Sequence, residues 1–130
     1  QLGYKVTLKS HPGGIVPNEK LLALYTDNYV KGTFNPTTSM ADCFLFDFAG
    51  TAFVDTLASG SPMVLTDMGV RPFDSTTFED LSSRCPVVPT RLNSDGKFRV
   101  DGEDLGNAIT QSIETNSELF SDFHQKFFTA

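Results

Sequence analysis

Two glycine-containing segments of the chain combine residue types that can hold an anionic group such as a phosphate. The first is residues 10–14, where Gly13 and Gly14 let backbone amides approach a ligand closely and Pro12 stiffens the turn. His11 can donate a hydrogen bond to a phosphate oxygen. His11 could equally cap a backbone carbonyl within the loop, so this segment alone leaves both roles open.

The second segment is Gly50-Thr51-Ala52, which follows an apolar strand-like run and opens an apolar helix. Free amides and the threonine hydroxyl would cluster there, at the N-terminus of a helix, which is a ready-made anion site. In the alternative interpretation, Thr51 is only the N-cap and Gly50 a tight-turn residue, roles that need no ligand.

A third candidate is Arg71, in the long polar loop at residues 66–74. A guanidinium group suits the geometry of a phosphate. The alternative is a surface salt bridge with Asp67 or Asp74.

The elements that would position these residues alternate along the chain. Apolar runs typical of strands fall at residues 4–9, 29–34, 43–48, 62–66 and 86–89, and helix-like segments at 17–26, 51–59 and 75–83, with a short turn near 36–40. Because the runs are almost continuously hydrophobic, we expect an α/β fold with a mostly parallel, doubly wound sheet of about five strands and helices on both faces.

The C-terminal third has a different pattern. Residues 93–96 are a strong turn signal that predicts a hairpin, with 97–100 as its second strand. Two helices are then expected, at 101–114 and 117–128. The second carries a Phe-rich face that would either pack on the core or dock on another lobe.

Composition narrows the class of protein. The chain has 130 residues, 39% hydrophobic and 20% charged, which is typical of one soluble domain, and no apolar run approaches the roughly 20 residues of a membrane span. A net charge of −6 argues against binding nucleic acid or an anionic membrane surface. Cys43 and Cys85 lack zinc spacing and predict reduced, buried thiols of a cytoplasmic protein, with no metal site.

Residues 9–12 and, about 35 residues later, residues 47–64 resemble the C-terminal lobe of GT-B glycosyltransferases. The similarity is greatest to bacterial enzymes of surface-polysaccharide, teichoic-acid and polysialic-acid assembly, and it covers residues 4–88. In that family a His-Pro motif and a Ser-Ser or Ser-Thr helix start bind the phosphates of a nucleotide-activated donor.

The resemblance implies a Rossmann-like lobe in which His11, Gly13 and Gly14 face the donor phosphate together with Gly50, Thr51 and Ala52. It also implies that Asp55 lies near the ribose or sugar of the donor, although an exposed helix carboxylate is the alternative. The sequence departs from the family pattern because one of the paired hydroxyls is replaced by Gly50.

These observations predict one donor-nucleotide-binding lobe over residues 1–130, as a piece of a two-lobed transferase that does not turn over without its N-terminal lobe. The expected ligand is a CDP-, CMP- or UDP-linked sugar or polyol phosphate. No separate cofactor is expected. His11 and the helix start at Thr51 would stabilise charge on the leaving phosphate. A non-catalytic interaction module and the lobe of a nucleotide-sugar epimerase remain the alternatives.

Overall fold

The computed structural model of the protein describes residues 3–10, 23–37, 41–69 and 72–128. The chain divides into two compact units, Gln1–Asn35 and Pro36–Ala130. Strands β1 (Thr7–Lys9) and β2 (Asn28–Val30) belong to the first unit and pair in parallel, with Leu8 opposite Tyr29. Most of the helix expected at 17–26 lies outside the described residues.

The second unit is built on a three-stranded parallel sheet. Its strands lie in the order β3 (Phe44–Phe46), β4 (Met63–Asp67) and β5 (Val87–Pro89). Helix α1 (Thr51–Ser59) connects β3 to β4, and helix α2 (Ser75–Arg84) connects β4 to β5. Each is a crossover of the kind that parallel neighbours require.

Helices cover both faces of this sheet. Met63 and Leu65 of β4 pack with Phe53 of α1 and Leu81 of α2 on one face. The intervening Val64 points to the other face, where it packs with residues of helix α3 (Gly102–Phe127). Successive strand residues face opposite sides, so the continuous hydrophobic run in β4 follows from burial on both faces, as the sequence predicts.

The prediction of one five-stranded sheet is wrong in its pairing. All five strands form near the expected positions, but they divide between the two-stranded and three-stranded sheets. A parallel neighbour needs a long crossover, usually a helix. The connection from β2 to β3 has no helix in its described residues 31–37 and 41–43.

The prediction of two C-terminal helices is also wrong, because α3 is one continuous helix of 26 residues. The predicted break at residues 115–116 contains neither Gly nor Pro. Asn116 does not cap a helix there; its Nδ2 donates to Gly60 O at 2.6 Å and its Oδ1 accepts from Arg84. Nearer the N-terminus, the Ser112 hydroxyl accepts from Met63 N and donates to Met63 O, which attaches α3 to the start of β4.

The predicted hairpin is confirmed. Strands β6 (Arg91–Leu92) and β7 (Phe98–Arg99) pair in antiparallel fashion. Gly96 takes a left-handed conformation with φ of 75° in the turn, where its amide donates to Asn93 O. This conformation is one that glycine adopts without steric cost.

Arg84, the last residue of α2, is only 1% exposed. Its guanidinium group donates to three main-chain carbonyls and one side-chain amide, those of Thr56, Leu57, Ser61 and Asn116. The described residues place no carboxylate within ion-pair distance of it. Its positive charge lies instead at the carbonyl end of α1, which is the negative end of the helix dipole. Burial of the guanidinium group lowers its pKa.

Candidate functional site

The candidate site lies where β3 leads into α1. The chain turns after Phe46, and Gly50 becomes the N-cap residue with extended backbone angles of −95° and −166°. Its carbonyl accepts from Val54 N at 3.1 Å, but no side chain caps the helix. The first-turn amides, including those of Thr51 and Ala52, therefore lack an intrahelical acceptor.

The sequence predicted this helix start correctly, to the residue. Thr51 is the first helical residue and not the N-cap, and its side chain is exposed. Asp55 lies one turn further along α1 and is also exposed. Gly50, Thr51 and Ala52 thus lie together at the N-terminus of α1, where backbone amides can meet an anion, whereas Asp55 lies at the middle of this nine-residue helix.

The other predicted site residues cannot be placed beside this group. His11, Gly13, Gly14 and Arg71 lie outside the described residues. Their proximity to Thr51 therefore stays a prediction.

The two carboxylates considered as ion-pair partners of Arg71 both make hydrogen bonds within their own loops. Asp67 Oδ1 accepts from Gly69 N at 2.8 Å. Asp74 is the N-cap of α2 and accepts from the amide and hydroxyl of Thr77. These two hydrogen bonds lower the pKa of Asp74. Asp74 therefore has a structural role that does not require Arg71.

A small cavity opens beside the helix start, at the carboxyl ends of β3 and β4. This is the edge at which open α/β sheets bind ligands. Its volume is about 20 Å³, and it is lined by Asp47, Phe48, Ala49, Leu65, Asp67, Met68 and Phe73. Such a cavity holds about one water molecule and is far below the size of a nucleotide site. The cavity itself therefore cannot enclose a phosphate group.

The electrostatics of this edge are mixed. The open amides of α1 favour an anion, whereas Asp47 and Asp67, which line the cavity, oppose one. Phe48 packs against Gly50 so closely that a Cβ atom there would lie 3.2 Å from the ring. An anion at this edge needs cations to offset the two carboxylates.

The β6–β7 hairpin, which follows the carboxyl end of β5, carries cationic residues that are not among the predicted site residues. Thr90 follows β5 and donates to Asp67 O through its amide and its hydroxyl, at 2.9 and 3.0 Å. Arg91 comes next and lies opposite Arg99. The signal in the sequence was an arginine just before and just after the predicted turn.

A larger groove lies at the other end of the sheet, where the chain enters β4. Its volume is about 590 Å³, and it is lined by Ser59, Gly60, Asn116, Ser117, Phe120, Ser121, His124 and Gln125. Phe120 lies against Gly60, where an added Cβ atom would come within 3.2 Å of the ring. Phe120 and His124 also pack together, with ring centroids 5.1 Å apart. The groove lies away from the α1 helix start.

Comparison of the chain with protein-family models, with curated proteins and with solved structures finds no match. Within the described part of the chain, no helix is both long and apolar enough to cross a bilayer. Across the same residues, no group of three or more His, Cys, Asp or Glu side chains is arranged to hold a metal ion.

Proposed function

We propose that this chain binds a nucleotide-activated sugar or polyol-phosphate donor, as the C-terminal half of a cytoplasmic glycosyltransferase-like enzyme of polysaccharide assembly. The donor is CDP-, CMP- or UDP-linked, and its phosphate lies at the N-terminus of α1. One observation carries the proposal: α1 begins at the carboxyl end of a parallel strand with a glycine N-cap and no capping side chain.

The physical basis is the charge at a helix N-terminus. Aligned peptide dipoles place about half a positive charge there, and the open amides point toward the ligand. A capping carboxylate or hydroxyl would occupy these donors, but Gly50 supplies neither. Charge that builds on a leaving phosphate would be stabilised without reorganising the site.

The resemblance to GT-B glycosyltransferases adds His11, Gly13 and Gly14 to the proposed phosphate site. In the proposed complex His11 donates to the same phosphate, and Arg71 helps to offset the carboxylates of the edge. Reaction with an acceptor requires a second lobe.

Nuclear magnetic resonance titration with cytidine and uridine nucleotides tests the proposal. We expect the amide resonances of Thr51 and Ala52 and the ring resonances of His11 to shift at millimolar ligand. Unshifted resonances at both places would overturn donor binding.

A substitution at Gly50 makes the test sharper. Aspartate is a preferred N-cap, and its carboxylate would accept from the amides that the phosphate needs. We expect Gly50→Asp to weaken nucleotide binding by about tenfold or more. Gly50→Ala is the matched control because it introduces the same Cβ beside Phe48 without a carboxylate. Equal loss in both variants would mean that the Phe48 contact, not the amides, governs binding.

A non-catalytic interaction module is the second candidate, and one observation favours it. At the C-terminal end of α3, Phe127 and the C-cap residue Phe128 are 47% and 44% exposed, and both pack against Phe123. Exposed aromatic groups of this kind are typical of protein-binding surfaces. A chain that acts only through this surface would leave Thr51 and Ala52 unshifted in the titration.

A further inference from the structure

The β6–β7 hairpin places two like charges directly opposite each other. Arg91 pairs with Arg99 across the two strands. Opposed residues of an antiparallel pair project from the same face, with Cβ atoms about 5 Å apart, and like charges there are destabilising. A hairpin whose strands have two residues each has little stability to offset this repulsion.

The hairpin contains only part of the charge needed to balance the pair. Arg99 Nη2 lies 3.4 Å from Asp95 Oδ2, with side chains 57% and 47% exposed. In the described residues Arg91 has no ion pair. With Lys97, the segment 90–100 has three cations and one carboxylate, a charge of +2 in a chain of −6. The hairpin is therefore a locally basic element of an acidic protein.

The position of the hairpin connects it to the candidate site. Arg91 follows Thr90, whose amide and hydroxyl both donate hydrogen bonds to Asp67 O at the carboxyl end of β4. Helix α1 begins after the carboxyl end of β3, in the same three-stranded sheet. Neighbouring strands lie about 4.8 Å apart, so the ends of β3 and β5 are separated by about 10 Å. A diphosphate and an extended arginine side chain together span that distance.

We propose that Arg91 and Arg99 form a phosphate-binding pair that holds the diphosphate of the ligand bound at the α1 N-terminus, an inference that rests on the proposed function. Guanidinium groups bind phosphate oxygens through two parallel N–H donors. A phosphate between the two arginines replaces their mutual repulsion with attraction. The arginine pair also supplies positive charge that would offset the carboxylates of Asp47 and Asp67 at this edge.

Calorimetric titration with uridine diphosphate, cytidine diphosphate and inorganic pyrophosphate tests the pair. We expect Arg91→Gln and Arg99→Gln each to weaken binding about fivefold, and the double variant by more than about tenfold. Lys97→Gln is the matched control because it removes one charge from the same hairpin outside the pair, and we expect less than about a twofold effect. Circular dichroism of each variant checks that the fold is retained.

Resonance shifts separate failure of this inference from failure of the proposed function. If Thr51 and Ala52 shift but the double variant binds as tightly as the wild type, the arginine pair is overturned and the α1 site stands. If the Nε–Hε signals of Arg91 and Arg99 shift without those amides, the hairpin binds anions alone and the proposed function is overturned. If Lys97→Gln weakens binding as much as the arginine variants do, general charge attraction explains the binding and the specific arginine pair is overturned. An absence of binding would overturn both proposals.

Discussion

Arg84 shows how a single side chain can join several elements. It extends from the last turn of α2 to the carbonyl end of α1 and to Asn116 of α3. The Phe120 ring covers it, with the guanidinium carbon 5.3 Å from the ring centroid. Nothing in the sequence marks this arginine as buried, because arginine is usually exposed. Only the closed packing of three helices makes it the common hydrogen-bond donor.

We expect Arg84→Met to lower the free energy of unfolding by about 2–4 kcal/mol, because buried carbonyls that accepted from a charged donor lose their partner. Urea denaturation measures the change. Arg91→Met is the matched control, since this exposed arginine has no ion pair with any described residue. We expect its effect to stay within about 0.5 kcal/mol. Equal effects in the two variants would show that the hydrogen bonds of Arg84 do not contribute to stability.

At the residue scale the predicted site divides into two parts. Gly50, Thr51 and Ala52 were predictable because a glycine followed by an apolar helical repeat is a local signal. The contact between Phe48 and Gly50 was not predictable, because it depends on how the turn between β3 and α1 folds back. His11 and Arg71 lie outside the described residues, so the convergence of the two loops stays a prediction.

Helix α3 shows the limit of local signals at the scale of an element. The two predicted helices left a break at residues 115–116, but the helix continues, and Asn116 and Ser112 make hydrogen bonds to Gly60 and to Met63 of β4. Polar residues that weaken a helix in isolation here attach it to its neighbours. The helical period of the apolar residues was predicted correctly, but the predicted boundary between two helices was wrong.

The substitution Glu118→Pro distinguishes one helix from two. In a continuous helix this exposed position is interior, and proline there costs about 3 kcal/mol or more. In a separate helix that begins at Ser117, residue 118 would lie in the first turn, where proline is tolerated. We expect urea denaturation to show the large loss, with Glu118→Ala as the control. Similar stability of the two variants would contradict a continuous α3.

At the scale of the whole molecule, burial determines how stability responds to alkaline pH. Cys85 lies at the end of α2 and is buried in the core that α1 and α2 form with the sheet. This burial raises its pKa to about 12 from the ordinary 9.0, and the charge of Arg84 opposes the shift only in part. The folded protein therefore keeps this thiol neutral at a pH where the unfolded chain ionises it.

It follows that the free energy of unfolding should fall as pH rises above 9.0 toward 12, by up to about 1.4 kcal/mol per pH unit from this thiol. The raised folded-state pKa makes the stabilisation complete below 9.0. Urea denaturation at pH 8 to 10.5 is the measurement. Cys85→Ala removes the thiol and should show a shallower decline, even though its small cavity lowers stability at every pH. Parallel curves for the two proteins would contradict the assignment.

The sequence by itself determined the features that short segments encode. These are the alternation of strands and helices, the start and end of α1 and the turn of the hairpin, because apolar period, capping residues and turn glycines act over a few residues. Only the tertiary structure decided that strands β1 to β5 form one two-stranded and one three-stranded sheet, that α3 is unbroken and that Arg84 is buried. Each depends on contacts between residues far apart in the chain, whose free energy no local pattern records.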